Sequence, residues 1–142
     1  MAERTPMDLA LKSLSRRAYS RSKMVAGLNR AGFDERQTKE CISKLENWGY
    51  LNDREFGISR IATLQARLKS RNYVAGDLES QGIPSLLIAE LLAEFYPEEM
   101  ELEIARKLLQ KKQRPQNKGP AVLTRAGFSE STVHRCFPDM NF

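Results

Sequence analysis

The sequence predicts an all-α protein of three tandem three-helix repeats, helix-turn-helix-like modules in an elongated arrangement. Two observations carry this. The hexapeptide pattern Leu-x-x-x-Gly followed by an apolar residue recurs as Leu28 to Phe33, Leu78 to Ile83 and Leu123 to Phe128, its glycines spaced at 50 and 45 residues, a range typical of repeat architectures. Apolar residues also fall at helical spacing, as in Ile58, Ile61, Ala62 and Leu68, while no segment sustains the period-two alternation of a strand.

Each element has a local reason. A helix that ends with Gly at C′ in the left-handed conformation packs the residue after the Gly against the residue four before it. Leu28 should therefore meet Phe33, Leu78 meet Ile83 and Leu123 meet Phe128. Leu45 to Tyr50 repeats the same grammar at the end of a further helix. Six residues before each repeat leucine stand Ser22, Asn72 and Asn117 as helix N-caps, and Asp34, Pro84 and Ser129 start the next helix. The expected helices are 7–18, 22–31 and 34–48, then 53–70, 73–81 and 84–95, then 98–112, 118–126 and 129–137. They give repeat units at 7–50, 51–96 and 97–142. Gln113 to Pro120 reads as a loop. Cys41 and Cys136 take equivalent positions in the first and third units, each in its own small core rather than in a disulfide. Trp48 is expected to pack between units.

The chain has 142 residues, with 23 Lys plus Arg against 18 Asp plus Glu. The balance is uneven. Residues 1–50 hold ten basic and six acidic side chains (+4), residues 51–104 five and ten (−5), and residues 105–142 eight and two (+6). Two basic ends around an acidic centre suit a polyanionic or bipolar partner, although a solvated charged surface gives the same arithmetic. The richest apolar stretch, Leu86 to Ala93, is broken by Glu90 and too short to span a membrane. No apolar signal region follows the charged start, so a cytoplasmic protein with free thiols is expected. One His and two distant Cys make no metal constellation, and phosphate-loop and dinucleotide glycine patterns are absent. Neither an enzyme nor a cofactor is expected.

The runs Leu11-x-x-Leu14-x-x-Arg17-x-Tyr19-Ser20-Arg21-Ser22 and Gly49-Tyr50-Leu51-Asn52-Asp53-Arg54-Glu55-Phe56, followed by Leu78-x-x-x-Gly82-Ile83, resemble the RecX family of regulatory proteins of the bacterial RecA recombinase. The likeness covers residues of about 8 to 137, the third unit being its weakest part. It implies a non-enzymatic modulator, acting as a monomer, that binds RecA and its filament on single-stranded DNA. Such a protein limits filament extension, ATP hydrolysis, strand exchange and repressor self-cleavage, with weak direct contact to single-stranded or duplex DNA as an addition. The central motif also has a purely structural account. Asn52 caps a helix with Glu55 at N3, and Leu51 and Phe56 form a hydrophobic staple.

Basic side chains at helical spacing are the candidate contacts. Arg16, Arg17 and Arg21 cluster near the end of the first helix, with Lys23 and Arg30 on the second. Arg60, Arg67 and Arg71 fall on one face of the fourth, with few acids a turn away. Lys111, Lys112, Arg114 and Lys118 are further candidates, although cations closing a helix also suit its dipole. Any of these could meet phosphates or an acidic protein groove. The alternative is a helix-turn-helix DNA-binding protein acting without RecA. The stretch 84–97 argues against it, because it carries Glu90 and Glu94 and no Lys or Arg.

Overall fold

The computed structural model describes residues 5–112 and 118–140. It contains, among these, α1 (Pro6–Leu14), α2 (Arg21–Arg30), α3 (Glu35–Asn47), α4 (Asp53–Ala66), α5 (Arg71–Ser80), α6 (Ser85–Phe95), α7 (Glu98–Lys112), α8 (Gly119–Arg125) and α9 (Glu130–Cys136), and no strand. Helix–helix packing groups in triplets, with α1, α2 and α3 mutually in contact, likewise α4, α5 and α6, and α7 with α8 and α9. No described helix is long and apolar enough to cross a membrane.

The glycine grammar holds at each of its four positions. Gly32, Gly49, Gly82 and Gly127 have φ of 99°, 79°, 80° and 90°, a region costly for residues with a Cβ. The next N–H donates to the carbonyl five residues back: Phe33 to Leu28 at 3.3 Å, Tyr50 to Leu45 at 2.8 Å, Ile83 to Leu78 at 3.1 Å and Phe128 to Leu123 at 3.0 Å. A fifth cap of this kind closes α4 without a glycine. Leu68 itself adopts φ 61°, and the Lys69 N–H donates to the Leu64 carbonyl at 3.0 Å.

Several helix boundaries differ from expectation. The first helix stops at Leu14 rather than 18. There Ser13 and Ser15 turn their hydroxyls back onto the Leu9 and Lys12 carbonyls, the local competition that makes serine a poor helix interior. The fourth stops at Ala66, because the left-handed Leu68 cannot continue it. The N-caps of α2 and α5 are Ser20 and Ser70, not Ser22 and Asn72. Both serines are fully buried and accept from the N–H three residues on. Asn117 lies outside the described residues. Asp34 and Ser129 cap α3 and α9 through their side chains, and Pro84 precedes α6.

The cores do not follow the repeat one for one. Ala10, Met24, Leu28, Cys41, Ile42, Leu45 and Leu51 form the core of α1–α3. A single larger cluster joins the other six helices, running from Ile61, Leu64, Val74 and Leu78 through Leu91 and Tyr96 to Ile104, Leu123 and Phe137. Cys41 is buried, as expected, but half-buried Cys136 packs on this shared core rather than on one belonging to the third triplet. Within the expected α4 stripe, Ile61 is buried, Ile58 and Leu68 are half-buried and Ala62 faces solvent.

Two joints of the same construction connect the triplets. At the first, the Ser20 hydroxyl donates to the Gln81 carbonyl at 2.6 Å and the Arg21 N–H to the Asp53 carboxylate at 2.8 Å. Ser22 occupies the space a Cβ on Gly82 would need. At the second, the Arg71 N–H donates to the Glu101 carboxylate at 2.8 Å and the Asn72 amide to the Gly127 carbonyl at 3.0 Å. Glu101, only 2% exposed, also accepts from Thr132 at 2.6 Å and Ser129 at 3.1 Å. These three charge-assisted bonds make burial of that charge tolerable.

Candidate functional site

Burial and pairing sort the basic candidates. Arg60, expected to lack an acidic partner, is held by Asp77 through two hydrogen bonds of 2.6 and 2.8 Å. The Asp77 hydrogen bond, opposed by desolvation, shifts the Arg60 pKa upward. Arg71 is the first residue of α5 rather than part of α4, and its guanidinium donates to the Tyr96 carbonyl at 2.6 Å. Arg67 alone of the three is exposed, at the C-cap of α4. The three do not form one open face, because the chain turns at the left-handed Leu68 between Arg67 and Arg71 and both outer members bind neighbouring elements. Arg21 is committed likewise, its N–H to Asp53 and its guanidinium to Glu46 at 3.4 Å.

The remaining candidates of the first triplet converge. Arg17, Lys23 and Arg30 line a cleft of about 360 Å³ between α1 and α2, together with Leu9, Ser13, Tyr19, Gly27 and Gln81, over Met24 and Leu28. Among the described residues, no carboxylate lines it. Arg16 is exposed on the connection leading to it. The Arg17 guanidinium lies 4.5 Å above the Tyr19 ring. Its hydrogen bond is the largest influence on the phenol and, against the opposing effect of burial, leaves it more acidic than usual. Three cations with no carboxylate among the described lining residues make an anion-attracting concavity, since field lines focus in a low-dielectric cleft.

The geometry has simple origins. The Ser20 cap fixes the start of α2 one turn before Met24 and Leu28 enter the core, which leaves Lys23, Gly27 and Arg30 on the side facing α1. Sequence reasoning passed over Leu9, Gly27 and Gln81. Of these, only Gly27 had a legible signal, as a glycine in a helix interior, where it costs about 1 kcal/mol relative to Ala.

Trp48 does not pack between triplets. It is 57% exposed, as is Tyr50, and the two rings meet edge to face with centroids 6.3 Å apart. Lys111, Lys112 and Lys118 are exposed, and Arg114 lies outside the described residues. The Asn52 side chain accepts from the Glu55 N–H at 3.0 Å, and Leu51 is buried while Phe56 packs on the larger core. The central motif thus works as a connector between triplets.

No family model matches the chain. Among curated proteins, "Regulatory protein RecX" of Syntrophotalea carbinolica is 30% identical over 114 residues, 79% of this chain and 74% of the relative. That of Caldanaerobacter subterraneus subsp. tengcongensis is 28% identical over 103 residues, and the match spans 72% of this chain but only about half, 52%, of the relative's length. The crystal structure of RecX from Lactobacillus salivarius superposes with a TM-score of 0.82 at 22% identity, covering 94% of this chain and 93% of that one, a likeness of fold. Taken with the glycine caps and the connector between triplets, the Syntrophotalea carbinolica relationship places this chain in the RecX family of regulatory proteins.

Proposed function

We propose that this protein modulates RecA, mainly as an inhibitor. It binds RecA and its filament on single-stranded DNA, so limiting extension, ATP hydrolysis, strand exchange and repressor self-cleavage, with consequences for DNA repair and the SOS response. The observation that carries this is the RecX relationship over 79% of the chain. The reading takes 7–50, 51–96 and 97–142 as three repeat units of a non-catalytic monomer in the cytoplasm, with DNA contact weak and secondary. Its binding surface centres on Arg17, Lys23 and Arg30, with Arg16 exposed beside them in the chain and Arg67 exposed separately on the second triplet, while Arg21, Arg60 and Arg71 hold the scaffold.

The test is RecA ATP hydrolysis on single-stranded DNA with and without the protein. Substoichiometric protein should lower the rate. The combined reversal Arg17→Glu, Lys23→Glu, Arg30→Glu should weaken inhibition about tenfold or more, with helicity by circular dichroism unchanged because all three are exposed. Unchanged hydrolysis at equimolar protein would sink the reading. The helix-turn-helix alternative has less support, since α6 (Ser85–Phe95) offers phosphates no cation at all.

A further inference from the structure

In register with the repeat, the groove between the first two helices is closed in one triplet and open in another. Matching Leu28 with Leu78 puts Gly27 in register with Asp77, and matching the buried Ala10 with the buried Ile61 puts Leu9 in register with Arg60. In the second triplet the Arg60–Asp77 pair spans α4 and α5. In the first triplet both partners are missing. Leu9 and Gly27 both line the cleft instead, and a Cβ on Gly27 would meet nothing within 4 Å. Close packing therefore does not account for a glycine at this interior helical position. Its conformation does not demand one either, since Gly27 is not among the positive-φ residues. A surface that approaches the α2 backbone from outside would.

We infer that the α1–α2 cleft is a docking site for an acidic segment of a partner protein that carries an apolar side chain. The apolar chain seats on Leu9 and the Gly27 backbone, over Met24 and Leu28, and flanking carboxylates meet Arg17, Lys23 and Arg30. The volume of about 360 Å³ lies at the lower end for ligand pockets, which suits one or two side chains. Charge complementarity sets the sign of the occupant, with three cations and no carboxylate among the described lining residues. A nucleic-acid strand fits less well. Binding of single strands depends on bases stacking on aromatic faces, and one face of Tyr19 is already covered by Arg17. The inference goes beyond the RecA reading and stands on the cleft alone.

The experiment measures binding of fluorescently labelled peptides to the whole protein by anisotropy. One peptide is an Asp/Glu run with a central leucine, the second has serine in its place, and an unlabelled oligothymidylate serves as competitor. The leucine peptide should bind about tenfold more tightly than the serine peptide. Gly27→Leu, which fills the groove, should lower that affinity at least about tenfold at an equal or higher Tm. Gly76→Leu, a helical glycine of α5 with equally open surroundings and outside the cleft lining, should leave it unchanged. Equal affinity for the two peptides overturns the inference, as does a Gly27→Leu protein that binds normally. So does an oligothymidylate that displaces the peptide and loses affinity equally in Gly27→Leu, which would make the cleft a phosphate site. RecA hydrolysis is scored separately, so failure of the unaltered protein to inhibit RecA removes the partner reading and leaves the peptide result in place.

Discussion

Tyr96 ends α6 with its side chain fully buried and its hydroxyl donating to the Lys69 carbonyl at 2.6 Å. Burial is the main influence raising its pKa, with the nearby Glu101 charge adding to it. Because the unfolded chain ionises this phenol first, near about pH 10, stability is full below that value. It falls as pH rises further, by up to about 1.4 kcal/mol per unit. Tyr96→Phe should cost about 1 kcal/mol at neutral pH for the lost hydrogen bond and flatten the alkaline decline. Urea denaturation of both proteins from neutral to strongly alkaline pH tests this, and parallel declines would refute it. Leu68 is the other unusual residue, a leucine at φ 61° where the other four caps use glycine. It was unreadable as a cap because nothing local favours that conformation. Its half-buried side chain packs on the larger core, and that contact offsets a backbone cost of about 1–2 kcal/mol.

Helices and their stops were the most legible level, since caps depend on neighbours in the chain. Leu28, Gly32 and Phe33 announce their hydrogen bonds without reference to any other element. The joints were not legible. Ser22 and Asn72 look like N-caps and instead sit at the contacts with Gly82 and Gly127, whereas the buried Ser20 and Ser70 do the capping. The same distance effect hid the Arg60–Asp77 pair, whose members stand seventeen residues apart on two helices. The two joints differ in strength. Glu101→Ala leaves the Arg71 N–H and two hydroxyls without their acceptor in a buried site and should destabilise by about 3 kcal/mol or more. Asp53→Ala removes a single exposed bond and should cost about 1 kcal/mol or less. Chemical denaturation of the two variants decides it, and equal losses would contradict the distinction.

Across the whole molecule, two hydrophobic cores serve three triplets. The core of α1–α3 is separate and smaller, whereas α4–α9 share one and the buried Glu101 network. Amides of α1–α3 should therefore exchange through openings about 1 kcal/mol or more below those of α4–α9. Hydrogen exchange resolved by helix measures this, and uniform protection would refute it. The basic cleft lies on the triplet with the separate, smaller core, and Gln81 of the second triplet is among its lining residues.

The sequence by itself determined the helical character of the described residues, the left-handed glycine stops, the uneven charge and the family resemblance. Each rests on residues within a turn or two of one another, or on their register along the chain. Tertiary structure alone decided which arginines are spent inside the molecule and which converge. It also decided that the described residues of the third triplet share one core with the second, and that Trp48 faces solvent. Those outcomes depend on distances between helices, and an ion pair or an open groove is set by what the neighbouring helix presents. Gly27 shows the boundary between the two. Its place in a helix is legible from its neighbours, but the open groove beside it exists only in the fold, where the Arg60–Asp77 pair spans the corresponding helices one repeat later.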